Sequence, residues 1–148
     1  MNRKSLAKIH LAATMVAAIT IVTFFTTSLT AELSGDFEII KQVKFLILCV
    51  IPLLIVAMAV LNITGTKLAG ETQNIQILAK KKRMKWMMVN GVGLISLAVF
   101  LFYQSHYRNM NSTFILAQIA EFILGLANLI LISLNVKSGL KLSGKLKS

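Results

Sequence analysis

The stretch FLILCVIPLLIVAMAVLNIT, from Phe45 to Thr64, decides the fold. It runs 20 residues without one charged side chain. At about 1.5 Å of rise per residue, a helix of that length crosses a hydrocarbon layer about 30 Å thick. A soluble helix this long would turn a charged face to water, and this one has no such face to turn. It is therefore read as a membrane span. Pro52, the only proline in the chain, falls inside it, as membrane helices allow.

Three further runs of the same kind extend from Ile9 to Leu29, Trp86 to Tyr103 and Phe114 to Val136. Little chain is left for a soluble domain, so residues 1–148 are read as one domain. The expected fold is all-α: a membrane-embedded, antiparallel four-helix bundle with up-down-up-down topology, because short links make consecutive helices antiparallel neighbours. The longest connection is expected from Gly65 to Lys85. Within it, Asn74 to Ala79 is expected to continue the second helix or to form a short interfacial turn.

Composition agrees. Hydrophobic residues make up 56% of the chain and charged residues 14%, against a usual charged fraction of about 25%, and the mean hydropathy is +0.76. The lone cysteine, Cys49, lies inside a span and offers no disulfide and no paired-thiol chemistry. The net charge of +11 would suit nucleic acid, but its distribution points elsewhere. Arg3, Lys4 and Lys8 precede the first span, six basic residues from Lys67 to Lys85 lie between the second and third, and Lys137, Lys141, Lys145 and Lys147 follow the fourth. The other two connections are nearly neutral. This alternation is the positive-inside pattern for an even number of crossings, and it predicts a multi-pass protein with both termini cytoplasmic. The basic loop Lys80 to Lys85 is read as a topology determinant lying against anionic lipid head groups. No aromatic residues interleave with its charges, so nucleic acid is not the expected partner. The basic start followed by an apolar run resembles a signal peptide, but that run is too long for one and is expected to be retained as the first helix.

Glu121 lies about eight residues into the fourth span, where a lipid-facing carboxylate would cost several kcal/mol. Gln118, Glu121, Gly125, Asn128 and Asn135 recur at helical spacing and form one stripe, which is expected to face protein. Asn90 and Ser96 of the third span, with Gly93 and Tyr103, are expected to join this polar intramembrane seam. On the first span, His10, Ala13, Ala17, Thr20, Phe24 and Thr27 share a face, and Thr20, Thr23 and Ser96 come near the depth of Glu121. Its carboxyl is expected to bond a Thr, a Ser or Tyr103, or to pair with Lys44 if that side chain snorkels inward. Gly91, Gly93 and Gly125 suit close helix packing, within the chain or between chains.

His10 raises a second chemistry. A histidine near the end of a membrane helix can ligate b-type haem, and Met84, Met87 and Met88 open the third span at the same level as candidates for a second ligand. His106 falls at the opposite surface. No His/Cys/Asp/Glu cluster has metal-ligand spacing, no Gly-rich phosphate loop is present, and no nucleophile stands beside a usable base.

Lys8-Ile9-His10, Phe24-Phe25-Thr26-Thr27, Lys44, Lys82-Arg83-Met84, Asn90-Gly91, the stripe from Gln118 to Asn128 and Asn135-Val136-Lys137-Ser138-Gly139-Leu140 together resemble an uncharacterised family of small bacterial four-span integral membrane proteins. That resemblance implies the same four-helix arrangement and the same polar positions, and supplies no substrate.

The leading functional expectation is a non-enzymatic small integral membrane protein that self-associates or serves as an accessory subunit of a membrane complex. Two alternatives accompany it: an electron-transfer protein carrying haem b on His10, and a proton-linked transporter of small molecules using Glu121.

Overall fold

A computed structural model describes residues 2–71, 74–108 and 111–142. They form four helices, α1 (Arg3–Ser34), α2 (Phe37–Ala69), α3 (Ile75–Tyr107) and α4 (Ser112–Leu142). Polar residues at the boundaries set the helix starts. The side chains of Asn2, Asp36 and Asn74 accept hydrogen bonds from the first backbone amides of α1, α2 and α3, and Asn111 does the same for α4. Each satisfies amides that have no partner inside their helix. At the end of α1, Gly35 takes the left-handed conformation (φ 66°) that lets α2 follow almost at once.

The helices outrun the apolar runs at both ends. The connection expected from Gly65 to Lys85 is mostly helical, since α2 continues to Ala69 and α3 starts at Ile75. Asn74 to Ala79 therefore opens α3 instead of extending α2. The physical reason is local: Lys, Arg and Met are good helix formers, and Asn74 supplies the cap. Two of the basic tail residues, Lys145 and Lys147, lie outside the described residues.

Each helix packs on two neighbours in a ring, α1 on α2, α2 on α3, α3 on α4, and α4 on α1 along the sparsest seam. The outer surface is suited to lipid. Leu11, Ile19, Val56, Val92, Leu116 and Ile123 are among many large apolar side chains more than half exposed. An apolar exterior this continuous far exceeds what a soluble monomer shows. All four helices hold an 18-residue window of mean hydropathy between 1.8 and 2.9. The chain is a multi-pass membrane protein folded as a four-helix bundle.

The face of α1 differs in part from its sequence reading. Ala13, Ala17 and Thr20 are buried as expected, but farther along Ser28 and Ala31 turn inward while Thr27 is exposed. The spacing from His10 to Thr27 follows a seven-residue repeat, and a straight helix drifts off such a repeat by about 20° per heptad. Ala13 and Ala31, separated by five full turns, keep the true face.

Candidate functional site

The bundle interior is divided in two. Near the α1/α2 and α3/α4 turns lies a closed polar network, and near the chain termini lies an open chamber. A cluster of Ala17, Ile21, Leu54, Ala57, Met87 and Ile132 packs between them.

The network brings together Ser28 of α1, Lys44 of α2, and Gln118 and Glu121 of α4. Glu121 Oε2 accepts from Lys44 Nζ at 2.8 Å, from Gln118 Nε2 at 2.8 Å and from Ser28 Oγ at 3.2 Å. Ser28 Oγ in turn accepts from Lys44 Nζ at 2.7 Å and from Gln118 Nε2 at 3.3 Å. The serine hydroxyl thus uses its one proton and both lone pairs. Lys44 is buried to 1% exposure and Glu121 to 12%, so the lysine stem reaches inward, bringing its ammonium to the carboxylate. The two groups form a buried salt bridge in which opposite charges face one another. Below it is a cavity of about 50 Å³ walled by Phe24, Phe25, Ile47, Ile51, Ala98 and Phe122.

Of the other seam residues, Asn128 and Asn135 are buried and Asn90 is half-buried. Ser96 is a correction: it is exposed, and its hydroxyl bonds the Val92 carbonyl of its own helix. A serine satisfied one turn back needs no interior partner, and Ser96 lies two residues from buried Ala98, which turns it to the other side of α3. Tyr103 is 47% exposed and Thr23 is exposed as well, so neither belongs to the network. The glycines of the spans are filled from within the chain. Met58 packs where a Cβ on Gly91 would lie, Leu124 at Gly93 and Phe25 at Gly125.

The chamber measures about 510 Å³ and is lined by all four helices, with His10, Met58, Asn62, Lys80, Met84 and Asn135 among its walls. His10 Nδ1 lies 2.8 Å from Thr64 Oγ1, and that hydroxyl is 2.6 Å from the Val60 carbonyl. The single hydroxyl proton goes to the carbonyl, so the threonine can only accept from His10. Nδ1 therefore carries hydrogen, and in the neutral ring Nε2 presents a lone pair.

Met84 reaches the same place. Its Sδ lies 3.0 Å, and His10 Cε1 3.3 Å, from the point a Cβ on Gly65 would occupy. Both side chains thus pack against the same backbone position, Gly65. Met87 sits in the core with its sulfur 3.4 Å from Asn135 Nδ2, and Met88 is 43% exposed. Arg83 ties α3 to α4 by donating to Leu134 O, Asn135 Oδ1 and Ser138 Oγ at 2.9–3.2 Å.

Two parts of this arrangement escape sequence reading. Ser28 is hidden among Thr26, Thr27 and Thr30, and only the five-turn periodicity from Ala13 singles out its side of the helix. The tie from Thr64 to His10 joins residues 54 apart, and no local pattern announces it. No protein-family model, curated protein or solved structure matches this chain.

Proposed function

We propose that this chain is a small, non-enzymatic multi-pass protein of the bacterial inner membrane, with both termini cytoplasmic, that serves as an accessory subunit and holds a membrane-soluble ligand in its chamber. The division of the interior carries this reading. One half is clamped by a network in which Lys44, Ser28, Glu121 and Gln118 Nε2 bond one another while Gln118 Oε1 is left without a partner among the described residues, and the other leaves about 510 Å³ walled mainly by apolar side chains, a size common to ligand pockets. The basic residues at the chamber end support its cytoplasmic placement against anionic head groups. With the glycine positions already filled, the proposed partner is another membrane subunit in preference to a second copy seated on a glycine seam.

Native mass spectrometry of the full chain released from nanodiscs tests the ligand. The reading expects one small molecule retained per chain and lost in Ala7→Trp, which places a large ring at the chamber wall. A bare chain under gentle release, unchanged by that substitution, contradicts it.

The orientation of His10 favours a second reading, in which the ligand is b-type haem held by His10 Nε2, with a methionine or a second chain completing the site. An absorption spectrum decides it. A Soret band lost in His10→Ala supports haem, and colourless protein from cells supplied with haem argues against it.

A further inference from the structure

We infer that the chamber takes a single-chain amphiphile with a monoanionic head, the head seated on Lys80 and the chain lying among Met58, Met84 and the aliphatic walls. This rests on the chamber reading above and specifies its ligand. Lys80 is half-buried in the chamber wall, its Nζ 3.6 Å from the point a Cβ on Gly139 would occupy. Among the described residues it has no hydrogen bond and no ionic partner, whereas its neighbours are engaged: Lys81 donates to the Gly70 carbonyl and Arg83 to α4.

Partly withdrawing an ammonium from water without compensation is costly, and an anion beside it offsets that cost. Among the described residues, the only acid at this end of the bundle is Glu71, which is exposed. The remaining polar groups on the chamber wall fit the same ligand. The Asn62 amide has no partner among the described residues and can donate to the head. His10 Nε2 adds no negative charge to repel it. One free ammonium matches one negative charge, which favours a carboxylate or phosphodiester over a doubly charged phosphate monoester. The apolar remainder, rich in methionine, adapts to a flexible chain.

The test uses the full chain in dodecyl maltoside at pH 8, with radiolabelled oleate, oleyl alcohol and oleylamine as probes that share one chain and differ in head. Oleate is expected to bind one per chain, about tenfold tighter than the alcohol, a ratio worth about 1.4 kcal/mol. Lys80→Met should erase that ratio while leaving alcohol binding intact, and Lys81→Met should leave the ratio unchanged. Thermal unfolding of each variant checks that it folds. Equal binding of oleate and alcohol, or tighter binding of oleylamine, overturns the head assignment; if Ala7→Trp still abolishes that binding, the chamber reading survives. Failure of all three probes to saturate at one per chain, with Ala7→Trp without effect, removes the chamber reading and this inference together.

Discussion

Replacing Lys44 by Met separates two accounts of the polar network by magnitude. If the network were ordinary interhelical hydrogen bonding, the substitution would remove two bonds, to Ser28 Oγ and Glu121 Oε2, at about 0.6 kcal/mol each. The loss would be about 1 kcal/mol. If the 2.8 Å contact is a buried ion pair, removing one partner leaves an uncompensated carboxylate in the bundle and costs about 3–5 kcal/mol. For a chain of this size, each kcal/mol moves Tm by roughly 2–4 °C, so the two accounts predict a fall of a few degrees or one on the order of 10 °C. Thermal unfolding in detergent, followed by circular dichroism at 222 nm, reads the difference.

The double variant Lys44→Met with Glu121→Gln sharpens the test. It removes both charges and keeps an amide oxygen for Gln118 and Ser28, and swapping a buried pair for neutral groups is often close to neutral. It should therefore be more stable than Lys44→Met alone, a non-additivity that independent hydrogen bonds cannot produce. A single variant within about 1 kcal/mol of wild type, or a double variant as unstable as the summed singles, refutes the ion-pair account.

Other substitutions test neighbouring parts of the argument. Ser28→Ala should cost about 1–3 kcal/mol because its Oγ serves both Lys44 and Gln118, while Ser96→Ala should stay within about 0.5 kcal/mol; paired Tm measurements compare them. Gly35→Ala meets no atom within 4 Å but must hold φ near +66°, so it should lose about 1–2 kcal/mol through backbone strain alone, read from its melting curve. For orientation in the membrane, reporter fusions after Lys82 and after Ser34 should report cytoplasmic and external positions respectively, and the reverse pattern would overturn the proposed topology.

The fold was legible because a membrane span is a matter of length and charge, and both are written in the sequence. On α4, the spacing of Gln118, Gly125 and Asn128 places them on one side because Leu and Ile fill the rest. Hydroxyl residues gave no such signal. A Ser or Thr can bond its own helix one turn back, so Ser28 facing inward and Ser96 facing outward look alike in sequence. Lys44 was legible as one of several partners for Glu121, because a long stem reaches either toward head groups or into the bundle, and the position of Glu121 on another helix decides which. The chamber was illegible for a different reason. It is a gap left between four helices, fixed by how Met58, Met84 and Ile132 pack and by the opening where His10 ties to Thr64.

The claim on which the rest depends is that the apolar surfaces face lipid and the polar stripe of α4 faces the interior. A cysteine scan of α4 in a Cys49→Ser background, spin-labelled and measured by electron paramagnetic resonance in nanodiscs, tests it most directly through collision with dissolved oxygen. Accessibility should peak at Ile115, Ile119, Ile123, Leu126 and Ile130, which are exposed, and fall to minima at Gln118, Gly125, Asn128 and Ile132, which are buried. A profile without helical periodicity, or one with its maxima at Gln118 and Asn128, would contradict the account.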